Sequence, residues 1–243
     1  MTKPRITPFR INITQTVLDD IRARLTHAHL PPAPPAEAAQ GWQLGASHSF
    51  MLKLREHWLH TYDWRKEEEA LNRYPQFIAE IDQHQIHFVH EKGSNAKPRP
   101  LLLLHGWPGS HFEFMHAVVR LAHPERFGGK AEDGFDVVVA SLPGFGFSSA
   151  NTSPTSPRQM ARLLGRLMRD GLGYDRFIAQ GGDWGSLLAG WLAYEDAACA
   201  GAHFNFFFWR NFAIQPQTDE EKAWSQRFAA AFEASNAYFK VHV

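Results

Sequence analysis

The sequence GGDWGS, residues 181–186, follows the apolar run FIAQ and precedes a helix-like segment over residues 187–195. Gly181 and Gly185 frame it with the spacing of G-x-S-x-G, a sharp strand-to-helix turn that lifts its central side chain clear of a sheet. Asp183 stands where that pattern has serine. An isolated aspartate before a helix is typical of an N-cap. Because glycines lie at both ends of the frame, we interpret Asp183 as a nucleophile.

Short apolar runs alternate with helix-like segments over most of the chain. The strand-like runs are IHFVH (86–90), LLLL (101–104), DVVVA (136–140), FIAQ (177–180) and HFNFFFW (203–209). Strands that alternate with helices of ten or more residues indicate a mostly parallel sheet with helices on both faces. Sites in such sheets lie at the carboxyl ends of the strands. With the turn at Asp183, this pattern predicts an α/β-hydrolase fold.

The chain divides into three predicted regions. Residues 1–79 are rich in helix signals, including one helical stretch over residues 50–71, and are predicted to form an N-terminal helical arm. Residues 80–215 form the predicted hydrolase core. Residues 216–243 contain the start of a predicted helical lid, in which Thr218 and Glu221 form a capping box. Trp224, Phe228, Ala231 and Phe232 share one face of that helix.

A second motif, HGWPGS at residues 105–110, directly follows the LLLL strand. Glycine and proline punctuate loops in many proteins, so the motif alone indicates only a turn. In an α/β-hydrolase, however, one oxyanion-hole N–H comes from the loop after the third strand and another from the residue after the nucleophile. We therefore expect the backbone amides of Trp107 and Trp184 to be these donors. A cis bond before Pro108 would aim the Trp107 amide.

Composition excludes several classes of function. The chain has 243 residues, of which 44% are hydrophobic, and 25 basic residues balance 25 acidic ones. Without a basic patch, nucleic acid is not an expected partner. One cysteine permits no internal disulfide and no cysteine-based zinc site. No apolar stretch has the length of a signal peptide or a membrane span, so the expectation is a cytoplasmic protein without a membrane partner.

Histidine is frequent, with 14 residues, and raises the question of a metal site. His84, His87 and His90 alternate with other residues in the manner of a half-buried strand. The prediction is that they are solvated strand residues. No metal or cofactor is expected.

Long motifs of the chain resemble those of the epoxide hydrolases of the microsomal and juvenile-hormone type. They are YDWRKEEEALNRYPQF, IHFVHEKG, HGWPGSHFEF, SLPGFGFS, GGDWGS and TDEEKAWSQRFAAAFEASNAYF. The resemblance runs from about residue 5 to the last few positions. It implies that Asp183 opens an epoxide to an alkyl ester, which water converts to a vicinal diol. It also implies that Tyr238, at the position of a lid tyrosine, donates a hydrogen bond to the epoxide oxygen.

The sequence departs from this family pattern after the lid begins. The family takes a general-base histidine and its acid from later strands, and neither His203 nor His242 has the context for that role. The expectation is therefore an incomplete chain, with its base beyond residue 243 and an exposed apolar strand that promotes self-association. Two alternatives stay open. One is a haloalkane dehalogenase-like hydrolase, and the other is a non-catalytic hydrolase-like protein.

Overall fold

The computed structural model describes residues 3–32, 42, 45–150, 155–206, 215–236 and 240. The chain forms two compact units, Met1–Phe207 and Phe208–Val243. Among the described residues, no helix combines the length and the apolar character that crossing a membrane requires.

The described part of the first unit contains a seven-stranded sheet. Its strands are β1 (Arg5–Phe9), β2 (Gln76–Ile81), β3 (His84–Glu91), β4 (Arg99–Leu104), β5 (Phe135–Ala140), β6 (Phe177–Gly182) and β7 (Cys199–Phe206). They lie in the order β1-β2-β3-β5-β4-β6-β7. Four strands, β5, β4, β6 and β7, are parallel neighbours, whereas β1, β2, β3 and β5 pair in antiparallel fashion. The predicted α/β-hydrolase architecture is confirmed, with an antiparallel extension at one edge.

The helices in the described part of the first unit are α1 (Gln15–Thr26), α2 (His48–His60), α3 (Trp64–Leu71), α4 (Met115–Ala122), α5 (Pro157–Arg166) and α6 (Trp184–Glu195). Helix α4 packs on one face of the sheet, and α5 and α6 pack on the other. Short 3-10 turns occur at His111–Phe114, Pro124–Phe127 and Ala131–Asp133, and a π-helical segment spans Leu167–Gly171.

Strand β4 shows why the core has two halves. Leu102 and Leu104 pack with α5 and α6 on one face, and Leu101 and Leu103 pack with α4 on the other. All four side chains are buried, because successive side chains of a strand point to opposite faces. A fully buried leucine contributes about 1.5–3 kcal/mol. An uninterrupted LLLL run is therefore the pattern of a strand that is covered on both faces. Burial of this strand determines where the HGWPGS loop begins.

The N-terminal arm differs from its prediction in two ways. It contributes β1, which pairs with β2 and was not predicted. The helical stretch predicted over residues 50–71 is two helices, because Asp63 caps α3 by accepting the N–H groups of Arg65 and Lys66. A cap of this kind starts a new helix at the next residue.

Two side chains of α3 hold the arm in place. Glu68, which is 8% exposed, accepts the Ile13 N–H at 2.7 Å. Asn72 both accepts the Ile11 N–H and donates to the Ile11 carbonyl, at 2.8 and 2.9 Å. Extended backbone that leaves β1 thus has its polar groups paired by side chains instead of by a neighbouring strand.

The second unit contains helix α7 (Asp219–Ser235). Thr218 and Glu221 form the predicted capping box, in which each side chain bonds the backbone of the other residue. The rings of Trp224, Phe228 and Phe232 stack in sequence, with centroids 5.1 and 5.9 Å apart. Spacing of four residues places them on one face of the helix, as predicted.

Candidate active site

Asp183 lies in the turn between β6 and α6, at the carboxyl end of a central parallel strand. Its backbone has φ 53° and ψ −126°, a conformation that residues other than glycine rarely adopt. Such strain costs about 1–3 kcal/mol and persists where the surrounding structure enforces it. The Asp183 carbonyl accepts both the N–H and the hydroxyl of Ser186, at 3.0 and 2.6 Å. The turn is therefore held from within helix α6.

Two glycines make this turn sterically possible. A Cβ on Gly185 would lie 2.1 Å from the carbonyl oxygen of Leu104, so helix α6 can approach the end of β4 only without a side chain there. A Cβ on Gly106 would lie 2.5 Å from Asp183 Oδ1. The Asp183 carboxylate therefore occupies space that a side chain at position 106 would fill.

The HGWPGS loop contacts the Asp183 side chain directly. The Trp107 N–H donates to Asp183 Oδ1 at 2.9 Å. The Trp107–Pro108 bond is cis, and the Gly109 N–H donates to the Gly106 carbonyl at 3.1 Å. The structure therefore brings together Asp183 and the first predicted oxyanion donor.

The second predicted donor, Trp184, is the first residue of α6 and follows Asp183 directly. No hydrogen bond joins the Asp183 side chain to the start of this helix. The Trp107 and Trp184 side chains are 45% and 46% exposed. Asp183 is consequently followed in the chain by one tryptophan and hydrogen-bonded to the backbone of another.

Tyr238 and His242 lie outside the described residues. His203 lies on the exposed part of β7, opposite Gln180 of β6. Within the part of the chain that the structure describes, no histidine is hydrogen-bonded to Asp183. The described residues therefore do not test the predicted lid donor, and they bring no histidine into hydrogen-bond contact with Asp183.

Glu113 is a carboxylate near Asp183 that the sequence analysis did not single out. Its Oε1 occupies the place where a Cβ on Gly109 would lie, at 1.4 Å from that position. Partial desolvation raises the pKa of Glu113, and the negative charge of Asp183 adds to this effect. Its place in the quoted motif HGWPGSHFEF is the only sequence signal, and nothing in the residue type distinguishes it from a solvated glutamate.

A buried histidine network lies behind the HGWPGS loop. His87 Nδ1 is 2.8 Å from Ser141 Oγ, which is 3.2 Å from His111 Nδ1. His87 Nε2 is 2.9 Å from Gln76 Oε1. Burial lowers the pKa of His87 to about 3 and that of His111 to about 4. These neutral rings link β2 and β3 to the residue that follows β5 and to the residue that follows the HGWPGS loop.

The prediction of a solvated His87 is therefore wrong. Its side chain is 0% exposed, because β3 pairs with β2 and β5 on its two sides and the Phe9 ring packs 5.1 Å from the imidazole. The alternation of residue types around His87 indicated a strand, but in this strand a polar side chain is also buried in the core. Hydrogen bonds to Gln76 and Ser141 make that burial tolerable.

Comparison with known proteins identifies the relatives of this chain. Residues 6–114 match the family described as "Epoxide hydrolase N terminus", and residues 99–204 match the family described as "alpha/beta hydrolase fold". The chain is 36% identical over 188 residues to "Epoxide hydrolase 1" of Oryctolagus cuniculus, which covers 75% of this chain and 40% of that protein.

Solved structures give the same result. The Aspergillus niger epoxide hydrolase superposes with a TM-score of 0.77 and 32% identity, over 91% of this chain and 56% of that chain. The juvenile hormone epoxide hydrolase of the silkworm Bombyx mori superposes with a TM-score of 0.74 and 28% identity, over 86% and 49%. The chain spans less than half the length of the first curated relatives, 45% in Stigmatella aurantiaca and 40% in the rabbit protein.

Proposed function

This chain is a relative of the epoxide hydrolases in both its N-terminal region and its α/β-hydrolase core, and on that basis we propose that it acts in the hydrolysis of an epoxide to a vicinal diol. The observation that carries the proposal is the Asp183 carboxylate at the elbow, with Oδ1 held at 2.9 Å by the Trp107 N–H. A carboxylate in a hydrolase elbow is suited to attack at carbon.

In the first step, Asp183 attacks one carbon of the epoxide ring. Because Oδ1 is hydrogen-bonded to Trp107, we assign Oδ2 as the attacking oxygen. A carbon–oxygen bond forms to Oδ2, the ring carbon–oxygen bond breaks, and the ring oxygen takes a proton. By resemblance, that proton comes from Tyr238. The product is a β-hydroxyalkyl ester of Asp183.

In the second step, water attacks the ester carbonyl carbon of Asp183. The negative charge then develops on Oδ1, the oxygen that the Trp107 N–H already contacts. Removal of one such donor costs about 3–4 kcal/mol of transition-state stabilisation in comparable enzymes. Collapse of the intermediate releases the diol and returns the proton to Tyr238. One epoxide and one water thus give one diol, and the oxygen of that water remains in the Asp183 carboxylate.

Mass spectrometry with styrene oxide as the probe tests this proposal. The alkyl ester of Asp183 is a covalent intermediate, so intact-mass analysis should detect it as one adduct with the mass of the epoxide. It should map to the peptide that contains GGDWGS. Any ester that is hydrolysed in H₂¹⁸O should leave ¹⁸O in Asp183 and none in the diol from the first turnover.

Controls separate the alternatives. Asp183→Ala should form neither the adduct nor the diol. Equal labelling of this variant, or ¹⁸O in the first-turnover diol, would contradict a nucleophilic Asp183. Release of halide from a haloalkane without reaction of the epoxide would indicate the dehalogenase-like alternative. An unmodified Asp183 with both probes would favour a non-catalytic protein.

A further inference from the structure

The imidazole of His105 is a buried group that the proposed mechanism does not use. It is 1% exposed at the end of β4, and both of its nitrogens have partners. Nδ1 lies 2.9 Å from the carbonyl oxygen of Gly106, and Nε2 lies 3.0 Å from the backbone nitrogen of Leu142. The Phe145 ring packs edge-on against it, with centroids 5.6 Å apart.

These partners define the tautomer of His105. A backbone N–H can only donate, so Nε2 accepts the Leu142 N–H and carries no proton. A carbonyl oxygen can only accept, so Nδ1 carries the proton and donates it to Gly106. Burial lowers the pKa of His105, which agrees with a neutral ring, although the Gly106 carbonyl acts in the opposite direction.

The acceptor of the His105 proton belongs to the same peptide unit as the amide that contacts Asp183. The Gly106 carbonyl and the Trp107 N–H are the two ends of one planar trans peptide, and they point in opposite directions. His105 Nδ1–H and the Gly109 N–H hold the oxygen end, at 2.9 and 3.1 Å. The nitrogen end then points at Asp183 Oδ1, at 2.9 Å.

Rotation of this peptide would move the Trp107 N–H away from Asp183. Such a rotation would first have to break the bond from His105, whose ring is fixed on its other side by Leu142. Donation to a carbonyl also polarises the peptide and strengthens its N–H as a donor, by about 10–30% per bond. The restraint on rotation and the polarisation both act on the Trp107 N–H through the Gly106 carbonyl at the other end of the peptide.

We propose that His105 is a positioning residue for the Trp107 amide, acting through the Gly106–Trp107 peptide and resting on the proposed role of Asp183. The ring does not touch the reacting atoms. It joins the loop after β4 to the loop after β5, and it thereby aims one backbone N–H at the oxygen on which charge develops.

Two conservative variants separate the hydrogen bond of Nδ1 to Gly106 from the hydrogen bond of Nε2 with Leu142. In His105→Asn, the side-chain amide lies near the Nδ1 position and can donate to Gly106, but it cannot reach Leu142. In His105→Gln, the amide reaches toward Leu142 and leaves the Gly106 carbonyl without its donor. A merely structural role predicts that the two variants lose function in proportion to their loss of melting temperature.

Nuclear magnetic resonance of the ¹⁵N-labelled chain provides a readout that needs no reaction. The Trp107 amide proton should shift upfield in His105→Gln and stay near its wild-type position in His105→Asn. With styrene oxide, hydrolysis of the Asp183 adduct should slow about tenfold in His105→Gln, the equivalent of one hydrogen bond to the oxygen on which charge develops. In His105→Asn it should stay within about threefold of wild type, since that donor is retained.

The outcomes are distinguishable. A Trp107 amide that is unmoved in His105→Gln, or moved equally in both variants, would overturn the positioning role. If the glutamine variant does not fold, the long-range ¹⁵N spectrum of wild-type His105 decides, because a protonated Nε2 would be incompatible with the proposal. Failure of wild-type Asp183 to form an adduct would instead remove the proposed function, while the amide shifts would still report whether His105 orients the peptide.

Discussion

Trp107 and Asp183 are 76 residues apart in the chain, and the backbone N–H of the first donates to the carboxylate of the second at 2.9 Å. The bond requires the ends of β4 and β6 to be adjacent, which the parallel register of Leu104 beside Gly181 provides. It also requires that the HGWPGS loop approach the Asp183 carboxylate closely, which a side chain at Gly106 would prevent.

Gly106→Ala should disable Asp183 and also lower the free energy of unfolding, because the Cβ of Asp183 cannot move without its backbone. The added Cβ would lie 2.5 Å from Oδ1 and 2.6 Å from the Cβ of Asp183, so the carboxylate must move away. Misplacement of a reacting group by about 1 Å lowers a rate by about 100-fold. The rate of adduct formation with styrene oxide, measured by intact mass, is the test. A rate within twofold of wild type would mean that the carboxylate does not occupy this position in solution.

Alanine at two glycines of the same helix should act in opposite directions. In Gly185→Ala the Cβ meets the Leu104 carbonyl at 2.1 Å, and backbone cannot move aside cheaply, so we expect the free energy of unfolding to fall by about 3 kcal/mol. In Gly190→Ala the Cβ meets nothing within 4 Å, and the free energy of unfolding should rise by up to about 1 kcal/mol. Urea unfolding of both variants measures this. Equal effects would contradict the close approach of α6 to β4.

Local signals explain what the sequence predicts well. The strand-to-helix turn at Asp183 depends on glycines within a few residues of it, and the capping box at Thr218 depends on Glu221 three residues later. Both were predicted because the physical cause lies within one turn of chain.

Nonlocal pairing explains what the sequence analysis missed. Strand β1 is recognisable only through its partner β2, more than 60 residues later, and its own burial pattern has no clean alternation. His87 and His111 are polar residues whose partners come from distant strands and loops. Their residue types alone favour solvent, so a buried polar network is visible only once the sheet order is known.

Glu68→Ala should loosen the N-terminal arm. The Ile13 N–H would lose its partner, as would the Trp64 indole N–H, which lies 3.2 Å from the same carboxylate oxygen. Loss of a buried hydrogen-bond partner costs about 1–3 kcal/mol. Hydrogen exchange at the Ile13 amide should accelerate by the factor that corresponds to this loss of free energy. Glu69→Ala, at an exposed neighbouring position, is the matched control. Similar protection in both variants would contradict an anchor at Glu68.

Acid should destabilise the fold through the buried histidines. His87 and His111 have pKa values lowered from 6.5 to about 3 and about 4 in the folded protein, chiefly because burial disfavours the charged ring. Below pH 6.5 the unfolded chain binds protons that the folded chain does not, so stability is full above this pH and falls as the pH drops toward 4. Each such histidine contributes a loss of about 1.4 kcal/mol per pH unit in that window.

The His111→Phe variant isolates one part of this acid effect. Phenylalanine keeps a ring against His87 and Phe147, whose centroids lie 4.8 and 5.7 Å from that of His111, but it has no group to protonate. Its absolute stability will change, because Ser141 loses a partner. The slope of stability against pH is the informative quantity, since it counts protons taken up on unfolding. Urea unfolding at pH 7, 6 and 5 should give a slope smaller by about one proton than that of wild type. An unchanged slope would mean that His111 is already charged when folded, and its bond to Ser141 would then have to be reassigned.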